Sequence, residues 1–471
     1  MSERITTAPV GTGHGPTADD GESPAREEAP EGGEPAIGGP LSRRRFTIAL
    51  AGITLFGLAF RVGYILQVTV KENSKIYDSL WYGVTANGLA QGQFFRTPFG
   101  TAPTAAHPPL TSLILGLVTL PFGAHVGTGL QRMTMAVLGA GVVLCVGLLG
   151  RAVAGPWVGL VAAGLAALAP NFWIPSGILM SETPAMLLMA LILLAVVRLL
   201  RSPTWVNAAL LGVACGAEAL VRAELILFVP ALLVPAALAA RPADLRRRLG
   251  LVGVGVLAVL VVLAPWVGRN LATFSDATYI STGDGLALLG ANCPDAYGGQ
   301  GLGTWHLNCV ASINASDESV KSARDQHAAV RYAEHHAGRL PVVVLARIGR
   351  LWDLYEPVQM VHTDVNEGRP APAGLAGLIV YYALLPFAVA GIVILRRRSL
   401  RQWFLLVPAG VLTLVSALVY GTVRFRAPFE VCLVVLAAPA AVLSARWFGR
   451  RVLGIGPAGR HGAHVADPAP A

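Results

Sequence analysis

The chain has 471 residues, of which 54% are hydrophobic and only 13% charged, which excludes an ordinary water-soluble globular protein. Its 36 lysines and arginines against 27 acids give a net charge of +9. The arginines stand in short runs between apolar segments, a pattern of membrane topology rather than a nucleic-acid footprint.

Residues 1–42 are rich in Gly, Pro, Glu, Ala and Thr and poor in large apolar side chains, so they are expected to be a disordered cytoplasmic tail. Ser42-Arg43-Arg44-Arg45-Phe46 before an apolar run is similar to a twin-arginine export signal. No small-residue cleavage site follows and many apolar runs come after, so it reads as the anchor of the first helix. That helix, 46–67, carries Arg61 about two turns short of its outer end. A charge at that depth costs ~2.5–3.5 kcal/mol, so Arg61 should face the protein interior or snorkel outward.

Past this first span comes Tyr77-Asp78-Ser79-Leu80-Trp81-Tyr82, and later His107-Pro108-Pro109-Leu110. A carboxylate and an imidazole at the boundary of an otherwise apolar protein are expensive unless used. Asp78 is either a helix cap or a general base. His107 either caps the short helix after it or touches a ligand phosphate. Trp81, Tyr82 and Trp305 suit either an interfacial aromatic belt or stacking on sugar.

Further apolar runs fall at 128–150, 155–174, 182–200, 205–221, 224–240, 249–266, 375–395, 402–420 and 427–445, giving about ten spans. The shorter run 108–122 opens on two prolines. If it does not cross, every arginine cluster, from Arg43–Arg45 to Arg446/Arg450/Arg451, lies on one side. It is therefore expected to be interfacial or re-entrant, with both termini cytoplasmic at the plasma (inner) membrane. The outer side then receives the 68–127 loop, the turn before Glu182, Arg222–Glu224, the 267–374 segment and Arg424–Arg426. Glu182 opens a helix, where it either meets the positive helix end or serves a site opposite Asp78. Arg222, Arg269, Arg424 and Arg426 stand at outer helix ends, where a guanidinium either snorkels or grips a phosphate.

Cys145, Cys215 and Cys432 sit in apolar runs and behave as small hydrophobes. Cys293 and Cys309 lie in the polar outer segment, where a disulfide closing their loop would contribute ~3 kcal/mol. Adjacent His335 and His336 point apart on a helix and make a poor metal pair. Residues 320–355 alternate apolar groups with Arg331, Arg339, Arg347 and Arg350, which predicts amphipathic helices on the bilayer. Asn314-Ala315-Ser316 matches a glycosylation sequon.

Taken in order, the Asp78 stretch, HPPL at His107–Leu110, Ser181-Glu182 after Pro170-Asn171-Phe172-Trp173, Arg222-Ala223-Glu224, Pro265-Trp266 through Arg269-Asn270, and Arg424-Phe425-Arg426-Ala427-Pro428 resemble the GT-C superfamily. The branch is that of protein O-mannosyltransferases and the lipid A aminoarabinose transferase, over about residues 46–445. The resemblance implies an all-α polytopic fold with interfacial helices in the first outer loop and a mixed outer region. It divides the chain into the tail 1–42, a membrane module 43–266 with its loop 68–127, an extracytoplasmic region 267–374, C-terminal helices 375–445 and a tail 446–471. It further implies an inverting glycosyltransferase moving a sugar from a polyprenyl-phosphate donor to a hydroxyl acceptor. Asp78 and Glu182 are then the catalytic residues, and Arg61, His107, Arg222, Arg269, Arg424 and Arg426 the donor-phosphate candidates. Several relatives place two adjacent acids after the first span, whereas Asp78 has only Glu72 nearby. No cofactor is required by the sequence, and a divalent metal stays open. A secondary transporter or lipid flippase is the alternative, against which stand the lack of a visible internal repeat and the scarcity of mid-membrane charge.

Overall fold

A computed structural model describes residues 37–69, 77–98, 100–123, 127–310 and 317–452. The expectations for residues 1–36 and 453–471, for Glu72 and for the sequon Asn314–Ser316 lie outside the described residues. Among those described there is no strand beyond an isolated bridge between Arg96 and Pro103. The rest is helix and turn, the architecture of a multi-pass membrane protein.

The chain runs through α1 (Arg43–Tyr64, extended by a π turn Ile65–Thr69), α2 (Tyr77–Ala90), α3 (Leu110–Thr119), α4 (Thr128–Ala154), α5 (Pro156–Leu168) and a single turn, α6 (Pro170–Trp173). It continues through α7 (Glu182–Arg201), α8 (Trp205–Ala219), a short α9 (Val234–Leu238) and α10 (Leu245–Thr273). An appendage follows, α11 (Gly283–Ala291), α12 (Pro294–Tyr297), α13 (Glu318–His335), α14 (Leu340–Leu351) and α15 (Pro357–Asp364). The bundle closes with α16 (Ala371–Arg397), α17 (Trp403–Leu418) and α18 (Ala427–Val452). Ser42, Thr204 and Asp244 cap α1, α8 and α10, their side chains accepting from Arg45 N, Asn207 N and Arg247 N.

Six helices are long and apolar enough to cross a bilayer: Arg43–Thr69, Thr128–Ala154, Glu182–Arg201, Leu245–Thr273, Ala371–Arg397 and Val423–Gly449. The run expected as one span at 155–174 is instead a pair, Pro156–Leu168 and Pro170–Gly177, bent by 71°. Proline cannot donate to the preceding turn, and two of them, Pro170 and Pro175, follow the break. The runs at 205–221, 224–240 and 402–420 form the shorter helices Trp205–Ala219, Ala223–Leu238 and Trp403–Leu418. Hydropathy reports composition and does not see such interruptions. Leu110–Phe122 reaches only ~20 Å at ~1.5 Å per residue, short of the ~30 Å hydrocarbon layer.

The core lies around α18, where Val431–Ala438 are buried on every face. Glycines let neighbouring backbones touch: a Cβ at Gly212 would lie 2.1 Å from Gly255 O, and one at Gly391 would lie 1.8 Å from Leu436 O. Arg61 is fully buried and closes the break after α5. Its Nη2 donates to Ala166 O at 3.1 Å and Phe172 O at 3.3 Å, and its Nη1 donates to Gly57 O at 3.0 Å. Carbonyls freed by the broken helix thus find a donor where no water is at hand.

In the appendage, Cys293 and Cys309 are joined by a disulfide with Cα atoms 6.3 Å apart, beside the small apolar cluster of Ala296, Tyr297, Val343 and Ala346. Arg347 and Arg350, on α14, turn inward rather than to a membrane surface. Arg347 donates to Ala291 O at 2.7 Å and Arg350 to Leu302 O at 2.6 Å. Replacing both Cys293 and Cys309 by serine is expected to destabilise the appendage by up to ~3 kcal/mol. Limited proteolysis should then cut between 283 and 351 faster than in the wild type, while equal cutting rates would show that the disulfide adds nothing to local stability.

Candidate functional site

The ionisable residues singled out in sequence separate into one shared cluster and three structural ones. At the centre of the cluster is Arg424, in the turn Val423–Arg426, whose backbone N–H donates to the Thr422 hydroxyl at 3.4 Å. Its Nε donates to Glu182 Oε1 at 2.6 Å, and both Nη1 and Nη2 donate to Asp78 Oδ2 at 3.3 Å. Its Nη1 also lies 3.0 Å from Glu367 Oε1. One guanidinium therefore joins three carboxylates drawn from the first outer loop, the start of α7 and the turn after α15.

Asp78 and Glu182 each stand in the first turn of a helix, where the exposed N–H groups favour an acid. Their surroundings separate their roles. Glu182 is 1% exposed, with Oε2 unpartnered, while Asp78 is 33% exposed and accessible to a substrate. Asp78 Oδ1 faces His107 Nε2 at 3.9 Å. His107 lies in a bend just before Pro108 and Pro109, and the turn is docked by Leu110 N donating to Leu220 O at 2.9 Å. The imidazole packs against the rings of Trp81 and Tyr82, with centroids 5.6 and 4.9 Å away. Burial pushes its pKa below the usual histidine value, with Asp78 only partly opposing. Burial thus favours its neutral form.

Arg222 borders the cluster, donating from Nε to Glu224 Oε1 at 2.8 Å and lying 4.7 Å from the centre of the Phe425 ring. Three other arginines serve backbone or private acids. Arg61 is at the α5 break. Arg269 donates to Thr104 O and Phe95 O at 3.0 and 3.2 Å, fastening the first outer loop to α10. Arg426, two residues from Arg424 on a tight turn, points the other way into Asp353 at 2.7 Å and Glu430 at 2.9 Å. Glu318, at the start of α13, accepts from Ala105 N at 2.8 Å and Thr104 Oγ1 at 3.0 Å, so the appendage is tied down two residues from His107.

Sequence reasoning passed over Glu367 and Arg369. Arg369 Nη2 donates to Glu182 Oε1 at 3.5 Å, and its Nη1 lies 3.8 Å from Asp364 Oδ2. Burial pushes Asp364 up to about 7 although Arg369 works against it. Between the two, Gly368 has φ +83°, a left-handed conformation that turns Glu367 and Arg369 onto the same centre. The Glu-Gly-Arg string was the only signal, and it is a common turn.

A divalent ion does not fit this arrangement as it stands. The carboxylates that would hold one converge on the Arg424 guanidinium, and among the described residues no group of three His, Cys, Asp or Glu side chains is placed to bind a metal.

Residues 106–268 match the family model of dolichyl-phosphate-mannose-protein mannosyltransferase. Among solved structures, the chain is similar to the apo oligosaccharyltransferase of Archaeoglobus fulgidus, with 17% identity and a TM-score of 0.52, covering 88% of this chain and 52% of that one. It is also similar to the Cupriavidus metallidurans ArnT bound to undecaprenyl phosphate, with 16% identity, a TM-score of 0.38 and coverage of 87% and 79%. A third is the S. cerevisiae protein O-mannosyltransferase Pmt1–Pmt2 complex bound to its sugar donor, with 15% identity, a TM-score of 0.40 and coverage of 55% and 38%. No curated protein matches by sequence. The chain spans about half the length of the archaeal oligosaccharyltransferase that it matches. Its fold is similar to that of the archaeal oligosaccharyltransferase.

Proposed function

We propose that the protein is a membrane glycosyltransferase that moves a sugar from a polyprenyl-phosphate donor to a hydroxyl acceptor on the extracytoplasmic face. The observation that carries this reading is the one-third-exposed Asp78, with one oxygen on Arg424 and the other turned to His107 at the end of an apolar bundle. Asp78 Oδ1 takes the proton of the acceptor hydroxyl as that oxygen bonds to the anomeric carbon. The bond from that carbon to the phosphate oxygen breaks in the same displacement, with inversion, and the electron pair leaves on the lipid phosphate. A phosphate already leaves as an anion, so one base suffices. Arg222 and His107 border the position where the phosphate would rest, and Arg222 has a fork suited to it. Glu182, buried beneath, holds Arg424 in register with Asp78. Arg61, Arg269 and Arg426 act through the scaffold, and no step runs through a metal.

The test is to offer the purified protein a panel of radiolabelled polyprenyl-phosphate sugars, with and without a chelator, and to follow loss of label from the lipid. Consumption of at least one donor supports the reading. A chain that consumes none in the presence of mixed hydroxyl acceptors would count against it.

Six helices, or seven with the broken pair, are long and apolar enough to cross; with the three shorter helices counted as crossings too, the arginine clusters favour both termini in the cytoplasm and the Asp78 cluster outside. Engineered cysteines near 100, 178 and 360 should react with an impermeant label from outside, and those near 151, 245 or 398 should not. Outside labelling at 245 would overturn this topology, and with it the outward site.

A further inference from the structure

The strip of chain that presents His107 has every backbone polar group from Thr104 to Ala106 engaged. Thr104 N donates to Phe95 O at 2.9 Å, and Thr104 O accepts from Arg269 at 3.0 Å. Ala105 N donates to Glu318 Oε2 at 2.8 Å, and Ala105 O accepts from Thr282 N at 2.9 Å. Ala106 N donates to the Thr104 hydroxyl at 3.1 Å, and Ala106 O accepts from the Ser281 hydroxyl at 2.9 Å. The Thr104 hydroxyl in turn donates to Glu318 Oε1 at 3.0 Å. Both oxygens of one carboxylate, 213 residues away in sequence from Ala105, therefore hold this strip from α13. We propose, on the reading of Asp78 and His107 as the reacting end of the bundle, that Glu318 is a positioning residue for the transfer reaction. By fastening Thr104 and Ala105 it sets where His107 stands against Asp78, and so couples the appendage to the site.

The His107 ring does little to hold its own place. Among the described residues no hydrogen bond reaches it; it meets Asp78 Oδ1 only at 3.9 Å, and the Trp81 and Tyr82 rings by packing. Pro108 and Pro109 bring no N–H, so the next backbone donor along the chain is Leu110 N, on Leu220 O. The position of the ring is therefore inherited from the strip before it. Glu318 is well placed to fix that strip. It is the first residue of α13, whose N-cap Asp317 accepts from Ser319 N at 2.8 Å and from Ser275 N at 3.0 Å, just past the end of α10. The carboxylate thus stands on an anchored helix start. Ala105 is 1% exposed, so loss of the carboxylate would leave a buried N–H without its acceptor. The strip would then shift to find another, and a displacement of ~1 Å at a contacting group costs up to about 10²-fold in rate.

The experiment compares Glu318→Ala and Glu318→Gln with the wild type, all full-length and in detergent, by amide hydrogen exchange read by mass spectrometry. Transfer kinetics follow with a donor that the radiolabel panel finds active. In Glu318→Ala, residues 95–107 should exchange about tenfold faster, with the core of α18 unchanged. Its donor KM should rise about tenfold with kcat held within a few-fold, the pattern of a lost contact at the phosphate. Glutamine keeps an oxygen for Ala105 N and an amide for the Thr104 hydroxyl, so Glu318→Gln should restore most of both. In a His107→Ala background, where that contact is already gone, Glu318→Ala should add less than about twofold to KM. Thr104→Val removes the hydroxyl from the other side of the same contact. It should give the same faster exchange and the same KM rise, and it serves if Glu318→Ala does not fold. Unchanged exchange over 95–107 in these variants, or a KM rise just as large in the His107→Ala background, overturns the proposal. The reading of the site as a glycosyltransferase fails by a different result, no donor consumed by the wild type, on which the exchange measurement does not depend.

Discussion

Replacing Asp78 by asparagine is expected to lower the single-turnover rate of sugar transfer by 10²- to 10⁴-fold, roughly what a positioned base contributes. The amide keeps the shape and can still accept from Arg424, but it cannot take a proton at the position facing His107. Folding should survive. Asp78 is one-third exposed, and Arg424 keeps its 2.6 Å contact with Glu182 and its 3.0 Å contact with Glu367. An ion pair whose carboxylate is open to solvent is worth about 1 kcal/mol or less. Donor binding should therefore be nearly unchanged, which separates lost chemistry from lost structure. A variant that turns over within a few-fold of the wild type would remove Asp78 from the base position.

Arg424→Ala should instead damage stability first. Glu182 is 1% exposed and would lose its 2.6 Å donor, keeping only Arg369 at 3.5 Å, while its second oxygen already lacks a partner. Removing one member of a buried pair costs about 3–5 kcal/mol, because a charge is left without compensation. Unfolding followed in detergent should show a loss of that order. Adding Glu182→Gln to Arg424→Ala should recover a large part of it, since the stranded charge is gone. Lysine at 424 should rescue only in part, because an ammonium cannot reach Asp78, Glu182 and Glu367 in the fixed directions of the fork. Additive effects of Arg424→Ala and Glu182→Gln would show that the buried contact carries no coupling.

The amino-acid sequence determined the class of this protein and drew notice to several of the side chains that cluster around Arg424. Apolar runs of membrane length, interrupted by arginine clusters, leave no other class open, and the few acids near their ends are costly enough to draw notice. Asp78, Glu182 and His107 were legible for that reason. The two cysteines outside the apolar runs, Cys293 and Cys309, are the two that the fold joins. What tertiary structure decided was which charge meets which. Arg61, Arg269, Arg424 and Arg426 look alike as arginines at or near helix ends, yet only Arg424 reaches Asp78, across a separation of 346 residues. Helical periodicity carries no information over that distance. It relates neighbours three and four positions apart, whereas the meeting of α2, α7 and the Val423–Arg426 turn depends on how whole helices pack. Glu367 and Arg369 were invisible for the same reason, being a common turn until a left-handed Gly368 aims both at one guanidinium. Helix continuity was also beyond composition, because Pro170 interrupts an apolar run without making it less apolar, and only the buried Arg61 makes that interruption tolerable by meeting the carbonyls it frees.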